Sequence, residues 1–155
     1  MTIRVASIDD EGEIAKLTTE LGYPTEPAEI AVRLNLLRQS DRDCVLVAEE
    51  DGIIAGWVQA HLSTTLESGR RMEIEGLIIS RLFRRKGIGK LLVEAAETWS
   101  RKAGAEIITV RSNINRLESH DFYSAIGFRR VKTQAVYRKG LLKPNVQQGA
   151  EGDVH

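Results

Sequence analysis

The sequence predicts a mixed α/β protein, and three observations lead to that class. Stretches that alternate apolar and polar residues, as strands do, stand between stretches with apolar residues every three or four positions, as helices do. Turn residues, above all glycine, separate these stretches. The resulting order is β-α-α-β-β-β-α-β-α-β-β, and interleaved helices and strands of this kind form a mixed sheet covered by helices.

The first third of the chain predicts one strand and two helices. "TIRVAS" alternates and is typical of a strand. "SIDDEGEIAKLTTELG" begins with capping residues and ends at Gly22, as a helix does. After the break "YPTEP", the segment "AEIAVRLNLLRQ" carries Ile30, Leu34 and Leu37 at helical spacing, which predicts a second helix.

The middle of the chain predicts a hairpin, a loop and a further strand. "CVLVAEEDGIIAGWVQAHL" contains two strand patterns around the turn Glu50-Asp51-Gly52. "STTLESGRR" is polar and predicts a loop, and "MEIEGLIIS" predicts the next strand.

The last third predicts two helices among short strands. "GIGKLLVEAAETWSRKAGA" predicts a helix that Gly104 closes. Its expected buried face consists of Ile88, Leu91, Leu92, Ala95, Ala96 and Trp99. "EIITVR" predicts a strand, "RLESHDFYSAIG" a short helix stopped by Gly127, and "FRRVKTQAVYRKGL" one or two final strands.

The composition indicates one globular domain. With 155 residues, 42% of them hydrophobic and 28% charged, the chain can bury one sizeable core. We expect a single domain over residues 1–142 and a polar tail over residues 143–155. Basic and acidic residues both number 22, so the net charge is zero and predicts no general affinity for nucleic acid or for an anionic membrane.

Cysteine content and hydropathy predict a cytoplasmic protein. Cys44 is the one cysteine, so it has no partner within the chain, which fits a reducing compartment and excludes a multi-thiolate metal site. No apolar run approaches the ~20 residues that a membrane helix needs. The N-terminus "MTIRVASIDDEGE" also lacks the order of a secretion signal.

The stretch "SRLFRRKGIGKLL" (Ser80–Leu92) predicts an anion site. It places four cations beside Gly87 and Gly89, between the end of a strand and the start of a helix. The first N–H groups of a helix lack internal partners, and glycine lets a ligand approach the backbone, so this combination suits a phosphate or pyrophosphate. The alternative is a solvated loop with a turn glycine. The pattern is neither a P-loop nor a complete G-x-G-x-x-G.

Two motifs resemble the GCN5-related N-acetyltransferase (GNAT) superfamily. Arg84-Arg85-Lys86-Gly87-Ile88-Gly89 is similar to its R-x-x-G-x-G pyrophosphate loop, and "SHDFYSAIGF" is similar to its H-x-F-Y-x-x-x-G-F segment. The resemblance extends in family order from "IRVASIDDEGEIAKL" to "VYRKGL", and the second motif is most similar to the small-molecule, aminoglycoside-type bacterial branch. It implies a strongly twisted mixed sheet with helices on both faces and splayed central strands that form an acetyl-CoA wedge.

The resemblance also implies a set of residues that bind acetyl-CoA. Backbone amides in the loop would hold the pyrophosphate, and main-chain groups of the strand before it would hold the pantetheine arm. The implied residues are Leu77, Ile78, Ile79, Arg84, Arg85, Lys86, Gly87, Ile88, Gly89 and Lys90, with Asn115 and Tyr123 as further contacts. Asn115 departs by one residue from the family's asparagine position, which Arg116 occupies here. No metal is expected, because acetyl-CoA supplies the acyl group.

The implied reaction is direct attack of an amine on a thioester, which needs a base for the amine and an acid for the thiolate. Tyr123 matches the family's general acid, and its alternative role is packing. Glu73 and Glu75 lie two apart on a predicted strand and share a face, so either can be the base, or both can pair with Arg71 or Arg111.

Other candidate bases are weaker. Thr109 stands where some members hold a base and cannot act as one, and His61 and His120 are further candidates.

The acceptor is the least determined feature. The segments around "ELGY" and Glu67 favour a small cationic amine over a large anionic partner. A non-catalytic acyl-CoA sensor, a nucleotide-phosphate binder and a protein N-terminal or lysine acetyltransferase stay open as alternatives. The resemblance further implies a homodimer that pairs through the C-terminal strands.

Overall fold

The computed structural model describes residues 1–142, which form two compact units. The first is Met1–Arg111, and the second comprises residues 112–142. The expected polar tail, 143–155, lies outside the described residues, and the single-domain expectation stays a prediction. None of the helices in the described part of the chain combines the length and the apolar character that a membrane crossing requires.

The first unit contains five strands and three α-helices. The strands are β1 (Thr2–Val5), β2 (Asp43–Glu50), β3 (Ile53–Thr65), β4 (Gly69–Ile79) and β5 (Ile107–Val110). The helices are α1 (Glu11–Glu20), α2 (Pro27–Arg38) and α3 (Ile88–Lys102), with short 3-10 helices at Ile8–Asp10 and Arg81–Phe83. The second unit contains α4 (Leu117–Ala125). These elements confirm the predicted order as far as α4.

The five strands form one sheet in chain order, from β1 to β5. Neighbours from β1 to β4 run antiparallel, and β4 pairs with β5 in parallel. The predicted hairpin between β2 and β3 is confirmed. Its turn residues Asp51 and Gly52 have φ of 52° and 78°, and two positive φ values are what a type I′ turn requires.

Helices cover both faces of this sheet. On one face, α1 and α2 build a buried cluster against the sheet, to which Ile14, Leu34, Val47 and Ile78 contribute. On the other face, α3 packs across the inner strands. Leu92 of α3 is fully buried, and its Cδ1 would lie 3.3 Å from a Cβ placed on Gly56. The mixed, helix-covered sheet that the sequence predicts is therefore confirmed.

A β-bulge interrupts β4 at Glu75. Gln59 pairs with Gly76 and Ala60 pairs with Ile74, so Glu75 has no partner in β3. The ring of Trp57 lies over Gly76, where an added Cβ would be 2.8 Å from the indole. The bulge therefore stands beside a position at which the close aromatic ring requires glycine.

The central strands separate just after this point. The parallel ladder of β4 with β5 joins Arg71 to Ile107 and ends at Ile74 and Val110. Beyond it, residues 75–79 of β4 continue with β3 alone, among the described residues. The second edge of β4 is consequently open over its last five residues, at the place where the sequence predicted splayed strands.

Three local predictions are wrong. The segment "STTLESGRR" is not a loop, since only residues 66–68 lie outside β3 and β4. Both strands continue through polar residues whose composition is typical of a loop. Leu91 is exposed and Val93 is buried in its place, because the buried face of α3 is rotated from the predicted one.

The third error concerns the final strands. Residues 128–142 form no strand in the described structure, and they do not belong to the five-stranded sheet. The C-terminal strands on which the expected dimer depends are therefore missing from this segment, and the dimer itself stays a prediction.

Two glycine-to-alanine variants test the close packing around Gly56. In Gly56→Ala, the new methyl group would lie 2.7 Å from the main-chain oxygen of Ile78, so we expect a loss of about 1–3 kcal/mol in the free energy of unfolding. The control, Gly12→Ala in α1, meets nothing within 4 Å and should raise stability by about 0.5–1 kcal/mol. Urea unfolding of both variants measures the difference, and equal stabilities would contradict the packing described.

Candidate active site

The cationic loop lies where the sequence predicts it, between the end of β4 and the start of α3. Arg85 and Gly87 both adopt positive φ, 66° and 74°. The first hydrogen bond of α3 joins the Leu91 N–H to the Gly87 carbonyl at 3.1 Å. The three preceding amides, of residues 88–90, precede the first bond of the helical ladder, so they are available to an anion at the positive end of the helix dipole.

The side chains of this loop add positive charge. Arg84, Arg85, Lys86 and Lys90 are all exposed. Lys86 lies over the ring of Phe83 at 5.2 Å, and Lys90 is 3.8 Å from Glu94. Among residues 1–142, neither Arg84 nor Arg85 forms a salt bridge. Unpaired guanidiniums beside open amides are groups that can bind an anion.

The strand that leads into this loop offers only its main chain. Leu77 and Ile78 are both 5% exposed and point to opposite faces, toward the two helix layers. Ile79 is half-buried. Their side chains therefore belong to the core, while the open edge of β4 presents N–H and C=O groups that an extended ligand could pair with.

A row of polar side chains crosses the face of the sheet that also carries α1 and α2. The cross-strand register places Asp43, His61, Glu73 and Thr109 opposite one another in β2, β3, β4 and β5. Glu75, at the bulge, joins this row beside Glu73, close enough for the two carboxyl groups to interact. The structure thus brings the two predicted carboxylates together on one face.

The two carboxylates have different environments. Glu73 Oε1 lies 3.3 Å from the Arg111 guanidinium and 3.7 Å from that of Arg71, so this carboxylate forms two ion pairs. Glu75 forms no salt bridge among the described residues. Its partial burial raises its pKa, and the neighbouring charge of Glu73 raises it further, against smaller opposing effects from His61 and Arg111.

Tyr123 and Asn115 lie in the second unit. The Tyr123 ring is 6% exposed and makes edge contacts with Phe122 and Phe128, at centroid distances of 5.0 and 5.6 Å. Burial raises the pKa of its phenol well above the usual range. Its hydroxyl is buried without a hydrogen-bond partner in the described chain, whereas Asn115 is exposed. A buried orphan hydroxyl is a group that a ligand atom can satisfy.

Sequence reasoning did not find every polar residue of this region. It considered His61 but not Asp43, whose Oδ1 lies 2.8 Å from His61 Nδ1. Counting back from the predicted turn at residues 50–52 would have paired Asp43 with Ala60. A bulge between Ala48 and Glu49 shifts the register by one residue and brings Asp43 opposite His61. Sequence reasoning also left open the pairing of Glu73 with Arg71 and Arg111, which the structure shows.

An open strand edge that runs into a cationic helix N-terminus suits an extended ligand with an anionic end. Residues 11–128 match the Acetyltransferase (GNAT) family. The chain therefore belongs to the GNAT family of N-acetyltransferases.

Two similar sequences and one similar structure show which acetyltransferases this chain resembles. The chain is 28% identical over 111 residues to the uncharacterized N-acetyltransferase YhdJ of Bacillus subtilis, covering 72% of this chain and 75% of that one. It is 24% identical over 148 residues to an aminoglycoside N(6')-acetyltransferase type 1 of Stenotrophomonas maltophilia, covering 93% and 95%. Its fold is similar to AAC(6')-Iy in complex with a CoA bisubstrate analog, with a TM-score of 0.81 at 20% identity over 90% and 97% of the two chains.

The raised pKa of Glu75 predicts a pH-dependent effect of Glu75→Gln on stability. Because the folded-state pKa lies above the ordinary 4.5, ionisation of Glu75 lowers native stability as pH rises through that folded value. We therefore expect Glu75→Gln to raise the Tm at pH 7.5 and to lose that advantage below pH about 4.5. Because Glu75 is partly exposed, solvent screening should limit the change to about 1 kcal/mol in the free energy of unfolding, or about 2–4 °C in Tm.

Calorimetry of the variant and of a matched control measures this effect. The control is Glu67→Gln, which changes an exposed carboxylate in the β3–β4 turn. An advantage of Glu75→Gln that is the same at pH 4 and pH 7.5 would contradict the burial argument.

Proposed function

We propose that this N-acetyltransferase uses acetyl-CoA to acetylate a primary amine of a small molecule. The observation that carries the proposal is the continuity of two features. The open edge of β4 over residues 75–79 is followed, after the eight residues 80–87, by the amides at the start of α3. An extended ligand with an anionic end matches both features at once.

The coenzyme would be held by main-chain groups and by exposed cations. Amides of residues 85–90 bind the pyrophosphate, with Arg84 and Arg85 as the unpaired guanidiniums nearest in sequence. The edge of β4 over Leu77–Ile79 pairs with the pantetheine arm. Bound acetyl-CoA would supply an acetyl thioester as the electrophile. The chain's own task is then to deliver a neutral amine and to protonate the departing sulfur, and neither task needs a metal.

Glu75 is the better supported base. An amine must lose a proton before it attacks, so the accepting group needs a free lone pair and a pKa close to neutrality. The Glu73 carboxylate is engaged by two guanidiniums, whereas Glu75 has no salt bridge in the described structure and has a raised pKa. Glu73 then serves to hold Arg111 and to keep the pKa of Glu75 high.

Tyr123 is proposed as the acid that protonates the sulfur. Two observations support this role: its place in the "SHDFYSAIGF" segment and its buried hydroxyl, which lacks a hydrogen-bond partner within residues 1–142. A phenol with a raised pKa stays protonated at neutral pH, as a proton donor must. Asn115 stays a weaker proposal for coenzyme contact.

The small-molecule acceptor rests on the relatives and on the carboxylates. The S. maltophilia relative, whose name specifies an aminoglycoside amine, aligns with 93% of this chain. Glu73, Glu75 and Asp43 on one sheet face also suit a cationic amine. An acyl-CoA sensor without activity would have no use for this carboxyl pair, and a protein or lysine acceptor is the remaining alternative.

Thermal melting tests the coenzyme, and thiol release tests the reaction. Acetyl-CoA and CoA should raise the Tm and ATP should not; a ligand at about 100 times its Kd adds about 2.7 kcal/mol to stability. Arg84→Gln should weaken the shift with acetyl-CoA several-fold. The control is Arg33→Gln, whose side chain pairs with Glu29 on α2.

CoA release is then measured with a panel of aminoglycosides, amino acids and peptides that carry free amines. Release with small amines but not with peptides is expected. The absence of any shift with acetyl-CoA and CoA at millimolar concentration would overturn the proposal.

Tyr123→Phe separates the acid role from packing. We expect kcat to fall about 10²-fold, the lower end for a lost general acid, while the KM for acetyl-CoA stays within about twofold. The Tm should stay the same or rise, because the variant removes a buried hydroxyl that has no partner in residues 1–142. Tyr137→Phe, at a side chain that is 92% exposed, is the control. An unchanged kcat in Tyr123→Phe would leave the residue with packing alone.

A further inference from the structure

The polar row contains one pair that the proposed reaction does not use. Asp43 and His61 lie opposite each other in β2 and β3, and His61 Nδ1 is 2.8 Å from Asp43 Oδ1. The Asp43 side chain is only 12% exposed, whereas that of His61 is 40% exposed. The carboxylate thus holds one ring nitrogen from the buried side. Within residues 1–142, no hydrogen bond engages the other nitrogen, Nε2.

This pair stands beside the two glutamates. His61 is directly opposite Glu73 in the β3–β4 register, and Glu75 is two residues further along β4 on the same face. Directly opposed residues have Cβ atoms about 5 Å apart, and diagonal neighbours lie within reach of long side chains. His61 and Glu75 are also close enough to interact electrostatically, and the charge of His61 lowers the pKa of Glu75.

Several other charges surround the imidazole, and they define its electrostatic setting. Glu73 carries the ion pairs to Arg71 and Arg111, and Arg38 at the end of α2 lines the same cavity as Asp43. The groups that face His61 are Asp43 from β2, Glu73 and Glu75 from β4, with Arg71 and Arg111 paired to Glu73. Three carboxylates therefore lie around one imidazole, which can carry a proton between two of its neighbours.

A base with a raised pKa also needs a way to lose its proton. After each turnover Glu75 is neutral, and it must become ionised again before the next amine arrives. Glu73, the neighbouring carboxylate, already forms ion pairs with two guanidiniums, so it is not a free acceptor. A partly exposed imidazole held by a buried carboxylate meets this need, because its Nε2 can take a proton and then release it to solvent while Nδ1 stays bonded to Asp43.

We propose that Asp43 and His61 form a proton relay that returns Glu75 to its ionised state in each catalytic cycle. This inference rests on the proposed transfer reaction. The ammonium of the acceptor passes one proton to the Glu75 carboxylate and becomes a neutral amine. Glu75 passes that proton to Nε2 of His61, and the imidazolium releases one proton to water. Asp43 stays ionised throughout and offsets the charge of the imidazolium. His61 acts through Glu75 and is a positioning residue, not a catalytic one.

The first test needs no substrate and no activity. Carbon-13 NMR of the glutamate side-chain carboxyls follows the titration of Glu75 in the wild type, in His61→Gln and in Ser63→Ala. Ser63 lies on the same strand and the same face as His61, and it carries no charge. We expect the Glu75 midpoint to move to higher pH in His61→Gln and to stay unchanged in Ser63→Ala. An unchanged midpoint in His61→Gln would overturn the coupling on which the relay depends.

The second test measures turnover with the amine that gives the fastest CoA release. In His61→Ala, kcat should fall about 10-fold with a nearly unchanged KM, and free imidazole at tens of millimolar should restore part of the loss. Asp43→Asn should also lower kcat and should change its pH profile. A structural role alone would give a loss that imidazole does not restore, and this outcome rejects the relay.

The outcomes separate the two proposals. A wild type that releases no CoA with any amine overturns the proposed function and the relay with it. An active wild type beside a fully active His61→Ala overturns the relay alone.

Discussion

The bulge at Glu75 is the constraint on which the rest of the site depends. One extra residue in β4 shifts the alternation of the strand beyond Glu75, so that Ile78, and not Leu77, lies on the same face as Glu73. The ring of Trp57 covers Gly76 beside the bulge and leaves no room for a side chain there. The same few residues mark the end of the β4–β5 ladder and open the edge of the strand.

Charge is distributed over this sheet in two regions with different tasks. At the start of α3, open amides and exposed cations gather beside residues with positive φ, a geometry that suits an anion. On the polar row, the carboxylates are half-buried, and side chains of the same type have different surroundings. Glu73 and Glu75 show this: they are chemically identical, but one is held by guanidiniums and the other by burial and a like charge.

Most elements of the fold could be predicted because their signals are local. The turn at residues 50–52, the glycine after α4 and the periodicity of α3 each depend on neighbours in sequence. The errors came where local pattern and tertiary context disagree. The polar ends of β3 and β4 are strands because they pair with each other, and Leu91 is exposed because packing rotated the buried face of α3 by one position. Residues 128–142 have a strand-like composition, but they form no strand because they pair with no strand of the described structure.

The sequence by itself determined the family, the anion loop and the identity of the candidate groups, because short motifs fix backbone chemistry over a few residues. It named Glu73, Glu75 and Tyr123, yet it could not rank the two glutamates. Only the tertiary structure decided that Arg111 and Arg71 bind Glu73, that Glu75 stands at a bulge, and that Asp43 holds His61. The physical reason is that a pKa depends on burial and on charges brought together from separate strands, and strand register is a property of the folded sheet.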